Sequence, residues 1–386
     1  MERLHFAPRP DWERKAQDVG FIWHHDNGLP YWDESAAYVF SLKEVEEDIE
    51  APSEEIHALC LDLVDEVVRS EELMEAIDIP EPLRDYVANS WHTKAPSLYG
   101  RFDFAYNGKG PAKLYEYNAD TPTSIYETAV FQWLWLEEQI AAKVLPAHAD
   151  QFNSLFEKLK YQFASIFLPG QTVHFSSDAT FTEDRQSVLF LEDIAHQAGL
   201  NAQFVALEDI GIDADGRFVD QEDWVIKALF KLYPWEEMLR DPWALNLAGA
   251  NVRMLEPAWK AVLSNKAILP LLWQRHRGHP NLLETYFEND PACNNLGNNY
   301  ARKPFFSREG ANVELLNQGT SSGFTDGGYG QGRHIIQALH TPPRFHGQHA
   351  IVGSWIVGEQ AAGMSIREDA SPITRNTSRF VPHFIR

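Results

Sequence analysis

Two short segments of this chain carry side chains that can manage negative charge together. The first is Arg101-Phe-Asp103-Phe-Ala-Tyr, and after a Gly-containing stretch comes Leu114-Tyr-Glu116-Tyr-Asn118-Ala-Asp120. Period-two alternation puts Arg101 and Asp103 on one face of the first segment, and Glu116 and Asn118 on one face of the second. Between them, Asn107-Gly-Lys-Gly-Pro111 predicts a turn, so the pair reads as a β-hairpin. If the two faces coincide, two carboxylates, a carboxamide and a guanidinium converge. Carboxylates about 4 Å apart repel by roughly 4 kcal/mol at an effective dielectric of 20. Either one is protonated or a cation sits between them. Oxygen-only ligands suit Mg²⁺, and an arginine beside it suits phosphoryl chemistry. There is a register condition. Positions 103 and 116 have opposite parity, so a shared face needs an even-length loop, for instance 107–112, or a bulge. A hairpin with its polar face in solvent is the plain alternative.

Further candidates lie downstream. Tyr300-Ala-Arg-Lys303-Pro-Phe-Phe and Ala311-Asn-Val-Glu-Leu-Leu316 read as a second hairpin around the loop Ser307-Arg-Glu309-Gly310. A strand lysine can reach phosphates as a point charge, and a Gly-containing loop can lay N–H groups over them. Taken alone, an ordinary hairpin tip is the simpler reading. Lys266 precedes an apolar helix in Ser264-Asn-Lys266-Ala-Ile-Leu-Pro270, where a solvated lysine is the simple reading. Asp178, Glu183 and Asp184 surround a strand-to-helix turn. They suit either a helix start stabilised by acids or a cradle for a cationic amine. Ser124 and Glu127 have capping-box spacing, and that helix start could hold an anion. Gly319-Thr-Ser321-Ser-Gly323 has the nucleophile-elbow pattern, but the Gly-rich residues after it cannot form the required helix. No Walker A or G-x-G-x-x-G pattern occurs, so a nucleotide site must be of another type.

The elements that position these residues come from both secondary-structure classes. Residues 1–95 read as mainly helical after an irregular start. An apolar helix follows Ser124, and another covers 152–167. Strands at 172–176, 203–207 and 225–233, with a helix at 183–198, predict a parallel α/β layer. A Gly-rich linker is expected over 319–332, with strands near 334–340 and 350–357. The expected division is a substrate region, 1–245, holding the first hairpin, and a nucleotide region, 246–386.

Composition narrows the partners. The 386 residues are 44% hydrophobic and carry a formal charge of -23. Such an acidic chain does not attract nucleic acid or anionic membranes. Two cysteines, Cys60 and Cys293, exclude a disulfide framework or a multi-cysteine zinc site. No apolar run is long enough to span a bilayer, so a cytoplasmic protein is expected.

Taken in order, Arg101-x-Asp103, Tyr115-Glu116-Tyr-Asn118-Ala-Asp120, Asn265-Lys266-Ala-Ile-Leu-Pro270, Lys303-Pro and Ile366-Arg367-Glu-Asp369 resemble the synthetase domain of the glutathionylspermidine synthetase family. Ala119-Asp-Thr-Pro-Thr-Ser124, Leu232-Tyr-Pro-Trp235, Leu255-Glu-Pro-Ala-Trp259 and Phe306-Ser-Arg-Glu-Gly-Ala-Asn312 resemble its stand-alone bacterial acid–amine ligase members. The resemblance implies an α/β, ATP-grasp fold of the permuted, glutathione-synthetase-like type with a pre-ATP-grasp substrate domain. It implies ATP and two Mg²⁺ ions, an acyl-phosphate intermediate, and a small-molecule acid and amine, with thiol peptides and polyamines as family substrates. Carried over, Arg101 and Arg367 serve the reacting group, and Asp103, Glu116 and Asn118 bind metal. Lys266, Lys303, Glu309, Gly310, Gln337, Ala338, Leu339 and His340 hold the nucleotide. Thr121 meets the acid, and Glu183 and Asp184 lie in the substrate pocket. Ile351 stands where the family has an adenine-contacting glutamine. The bifunctional members' amidase domain is not expected here. The alternative is an ATP-binding protein of the same fold that acts as a sensor or scaffold without ligating.

Overall fold

The computed structural model describes residues 1–26 and 28–386. A six-stranded antiparallel sheet runs through its middle. Tyr99–Ala105 and Lys113–Asn118 form its edge hairpin, and Gln348–Val357, Gln360–Asp369 and Arg379–Val381 extend it. The short strand Arg344–Phe345 pairs with Gln348–Val357. Segments on both sides of residue 245 therefore share one sheet. The face behind the hairpin is apolar: Phe102, Phe104, Leu114 and Tyr117 are buried there. Ala51–Val67 packs on the same layer with Ile56, Cys60, Leu63 and Val64 inward, the spacing of an amphipathic helix.

A second, five-stranded antiparallel sheet holds Thr285–Phe287, His334–Ala338, Tyr300–Pro304, Glu314–Asn317 and Thr320–Phe324 in that order. The expected second hairpin is present, with Tyr300 opposite Leu316 and Arg302 opposite Glu314. The Gly-rich stretch expected as a linker begins instead as the strand Thr320–Phe324. Polar residues misread as loop are common on an edge strand with a solvated face. Ser321 lies on that exposed strand with no helix behind it, so the nucleophile elbow is absent.

The parallel α/β layer forms, with a strand, Arg253–Leu255, beyond the three expected and the middle expected strand starting two residues earlier. Its four strands are ordered Arg253–Leu255, Ala228–Lys231, Thr172–Ser176, Asn201–Phe204, with Thr182–Gln197 crossing between the last two. Residues 1–95 are less helical than their pattern suggests. Glu2–His5 and Ala36–Phe40 are strands, joined in a three-stranded sheet by His383–Ile385 from the far end of the chain. Among the described residues no helix is long and apolar enough to cross a membrane.

Candidate functional site

The hairpin meets its register condition through a bulge. Arg101 pairs with Asn118 and Asp103 with Glu116, but the register then slips, so that Phe104 faces Leu114. Tyr115 is the extra residue. Without it the loop 106–112 would put Asp103 and Glu116 on opposite faces. With it, all four polar side chains face one cavity of about 500 Å³.

Inside the cavity the charges are interlocked. Arg101 grips Asp103 through Nε to Oδ1 at 2.8 Å and Nη2 to Oδ2 at 3.2 Å. Its Nη1 donates to the Thr123 carbonyl at 2.9 Å and to Ser124 Oγ at 3.1 Å. Asn118 Nδ2 donates to Asp103 Oδ2 at 3.0 Å. Lys266 Nζ lies 3.1 Å from Glu116 Oε2 and donates to the Ser307 carbonyl at 2.8 Å. Burial alone would raise the Glu116 carboxyl, but Lys266 and Lys303 beside it hold it below the usual range. Asp103, Glu116 and Asn118 offer only oxygen ligands, which fits Mg²⁺. Among the described residues no group of three His, Cys, Asp or Glu gathers as a metal cage. A divalent ion here would therefore complete its shell with phosphate and water, the habit of Mg²⁺.

The five-stranded sheet forms the facing wall. Ala301 pairs with Gln337 across it, and Lys303 sits two residues on, on the same face. Lys303 Nζ donates to Gln337 Oε1 at 2.7 Å. Burial, only partly opposed by Glu116, lowers Lys303 to about 8. Ala338, Leu339 and His340 continue along the cavity, and Tyr115 Oη donates to the His340 carbonyl. Ile351, Leu269, Val313 and Leu315 give this end an apolar lining suited to a planar base. The loop that follows Lys303 is tightly bent: Glu309 has φ 53° and Gly310 φ 68°. A side chain at 310 would place Cβ 2.3 Å from the Thr374 carbonyl oxygen, so this position needs glycine.

The third side is acidic. Glu183 and Asp184, in the first turn of Thr182–Gln197, both line the cavity. Burial, with Glu183 adjacent, pushes Asp184 up to about 6. Burial also raises Glu236, although Arg308 opposes it, and raises Glu309, where Glu183 adds like charge. Asp178, the third acid of the sequence cluster, instead accepts from Thr180 N at 2.7 Å outside this lining. Thr121 accepts from Arg308 Nη2 at 3.0 Å. Arg367 lies on Gln360–Asp369 and lines the cavity. Its Nη2 donates to the carbonyls of Arg375, Asn376 and Ser378 at 2.8, 3.0 and 3.0 Å. Its Nε is buried without a partner among the described residues. The residues that the family resemblance implies for the site thus all border this one cavity, whereas Asp178, Ser124 and Ser321 do not line it.

Several contributors were not legible. Arg308, which bridges Thr121 and Glu236, looked like an ordinary loop charge. Below the site, Lys231 Nζ meets Asp120 Oδ1 at 2.7 Å, and Asp120 Oδ2 accepts from Trp235 N at 2.7 Å. Glu256 accepts from Leu98 N and Tyr99 N at 3.0 and 3.1 Å, while Lys260 Nζ donates to the carbonyls of Tyr99 and Ala119 at 3.1 Å each. Leu232–Trp235 and Leu255–Trp259 therefore brace the hairpin's two ends. The runs were visible in the sequence, but their partners were not.

The capping box at Ser124 is not formed. Ser124 has φ 70°, and its hydroxyl turns to the Thr123 carbonyl and to Arg101. Glu127 points inward to Trp23. The demand of Arg101 for acceptors outweighs a local cap.

This arrangement, two sheets closing on a carboxylate–lysine cavity beside a parallel α/β layer, is the glutathione-synthetase-like, ATP-grasp type of fold. A glutathione synthetase-like effector from Globodera pallida superposes with a TM-score of 0.58 over 97% of this chain and 95% of its own, at 13% identity. The glutathionylspermidine synthase preATP-grasp family model matches residues 3–386, and the chain belongs to that family. It is 39% identical to a Haemophilus influenzae protein named "Putative acid–amine ligase", covering 98% of both. It is 26% identical to the bifunctional glutathionylspermidine synthetase/amidase of Escherichia coli over 89% of this chain and 58% of that one. The trypanothione synthetase of Crithidia fasciculata is 29% identical over 84% of this chain and 53% of its own length. The chain thus spans little more than half of these two longer relatives.

Proposed function

We propose that this protein is an ATP- and Mg²⁺-dependent carboxylate–amine ligase that forms an amide through an acyl phosphate. The observation that carries the reading is the meeting of Arg101, Asp103, Glu116, Lys266 and Lys303, from separate elements, in one cavity of about 500 Å³. Lys266 and Lys303 would bind the phosphates of ATP, with the base between Leu315 and Ile351 and the loop at Glu309-Gly310 over the phosphates. Asp103, Glu116 and Asn118 would hold magnesium, which when bound neutralises phosphate charge and orients the γ-phosphoryl group. Arg101 and Arg367 would hold the phosphorylated acid and favour the charge of its transition state. Thr121 would contact the acid. In the resting site Arg101 and Lys266 already neutralise the hairpin carboxylates, so the fold tolerates them before any ligand arrives.

The acidic wall of Glu183, Asp184, Glu236 and Glu309 favours a cationic amine, because burial leaves these carboxyls short of counter-charge. Polyamines are the natural class, in keeping with the glutathionylspermidine relatives. The test is ADP release with a panel of small peptides, glutathione included, and amines, spermidine included. Amide product is then identified by mass. ATP binding without ADP release under every combination would favour a nucleotide sensor. Absence of ATP binding would sink the reading altogether.

A further inference from the structure

Behind the acidic wall, a line of side chains runs inward that the scheme above does not use. Glu127 is 1% exposed. Its Oε1 accepts from Trp23 Nε1 at 2.7 Å, while its Oε2 is buried with no hydrogen-bond partner among the described residues. Ionised, that oxygen is stranded in a dry site; protonated, it becomes a donor. The titratable groups facing Glu127 are Glu183, Tyr31 and Tyr126. Tyr31 is 5% exposed and donates to Glu183 Oε1 at 3.2 Å. Tyr31 also lies within electrostatic reach of Arg367 and Arg101, the two arginines at the reacting centre. The line therefore runs from the cavity wall at Glu183, through the Tyr31 hydroxyl, to Glu127. Burial, with Glu183 adding like charge, pushes Glu127 up to about 7, and burial keeps the Tyr31 hydroxyl protonated.

We propose that Glu183 takes the proton of the incoming amine and that Tyr31 and Glu127 receive it from behind. The proposal rests on the ligase reading. An amine that arrives as an ammonium ion has no lone pair for attack, so a base must act first. One N–H bond breaks and its proton goes to the Glu183 carboxylate. The Tyr31 hydroxyl turns to Glu127 Oε2 and passes its own proton there while accepting the one from Glu183. The freed lone pair forms the C–N bond. The bond between the acyl carbon and the phosphate oxygen breaks, its electron pair leaving on phosphate together with the second nitrogen proton. Tyr31 and Glu127 are positioning residues here: they act through Glu183 and touch no reacting atom.

The experiment uses the full chain, Glu127→Gln and Tyr31→Phe. Gln keeps an acceptor for Trp23, and Phe keeps the ring. The acid and the polyamine come from the panel above, and hydroxylamine serves as a second nucleophile that is largely uncharged at neutral pH and needs no base for its first step. Amide formation with the polyamine should fall at least tenfold in both variants, with the acid limb of the kcat/KM profile displaced. Hydroxamate formation should stay within twofold of wild type. The Trp23 indole N–H resonance of the resting protein, assigned with Trp23→Phe, should titrate near pH 7 and become flat in Glu127→Gln. Equal losses with both nucleophiles, an unmoved pH profile or a flat wild-type indole would overturn the relay. A wild-type protein that releases no ADP with any acid overturns the ligase reading, and the acceptor role with it; an intact ligase with an unshifted Glu127→Gln overturns the relay alone.

Discussion

Lys231→Met tests whether the brace under the hairpin works by charge pairing. Lys231 and Asp120 have side chains 0% and 2% exposed, with Nζ to Oδ1 at 2.7 Å. Nζ also donates to the Tyr233 carbonyl at 2.7 Å and lies over the Trp235 ring. Methionine fills similar volume but donates nothing. The Asp120 carboxylate, 2% exposed, would keep only Trp235 N as a protein donor. Breaking a buried ion pair on one side costs about 3–5 kcal/mol, because the other charge is left unbalanced. The double variant Lys231→Met with Asp120→Leu removes both charges. What remains is the loss of two hydrogen bonds, the acceptor for Trp235 N and the donor for the Tyr233 carbonyl, at about 1 kcal/mol each. The second substitution should therefore recover roughly 2 kcal/mol. Equilibrium urea unfolding followed by tryptophan fluorescence, at pH 7, measures all three proteins. A single variant within about 1 kcal/mol of wild type, or a double variant less stable than the single, would refute the argument. The single variant should also lose ADP release, since Asp120 joins the hairpin to Thr121.

Three further outcomes follow from the same geometry. Glu127 titrates at about 7 in the folded protein, above its ordinary range of about 4.3. The folded state then binds the extra proton between those values, so its stability is full below that window and falls as pH rises through it, by roughly 4 kcal/mol. Glu127→Gln should abolish this slope, gaining more over wild type at pH 8 than at pH 5 in thermal unfolding. Arg101→Lys should lower ADP release by about 100-fold or more, because a lysine cannot grip Asp103 with two donors while reaching Thr123; circular dichroism should be unchanged, and a wild-type rate would remove Arg101 from the mechanism. Gly310→Ala should weaken nucleotide binding at least tenfold in calorimetry with little change in Tm, since the clash with Thr374 displaces only the loop; unaltered binding would show that the loop does not cover phosphates.

Much of the site could be read before the fold was known, because strand alternation is a local property. Arg101 with Asp103, and Glu116 with Asn118, share faces for reasons contained in a few adjacent residues. The parallel layer at 172–231 was equally plain, since strand, helix and strand each carry their own period. The misreadings have a common cause. At Ser124 the local cap pattern was correct as a pattern, but Arg101, more than twenty residues earlier, took the hydroxyl. The strand Thr320–Phe324 was hidden because an exposed edge needs no apolar alternation. Lys231, Glu256 and Lys260 carry no local signal of burial, and only their contacts with Asp120, Leu98, Tyr99 and Ala119 reveal it.

The sequence alone determined which charged groups were available, on which face of each strand they stood, and that α and β elements alternate; these depend on neighbouring residues and on backbone periods. Only the tertiary structure decided the bulge at Tyr115 that brings Asp103 opposite Glu116, the approach of Lys266 and Lys303 to them, and the buried pairs that hold the hairpin's ends. Those depend on loop closure and on packing between segments far apart in the chain, where no local period records the choice.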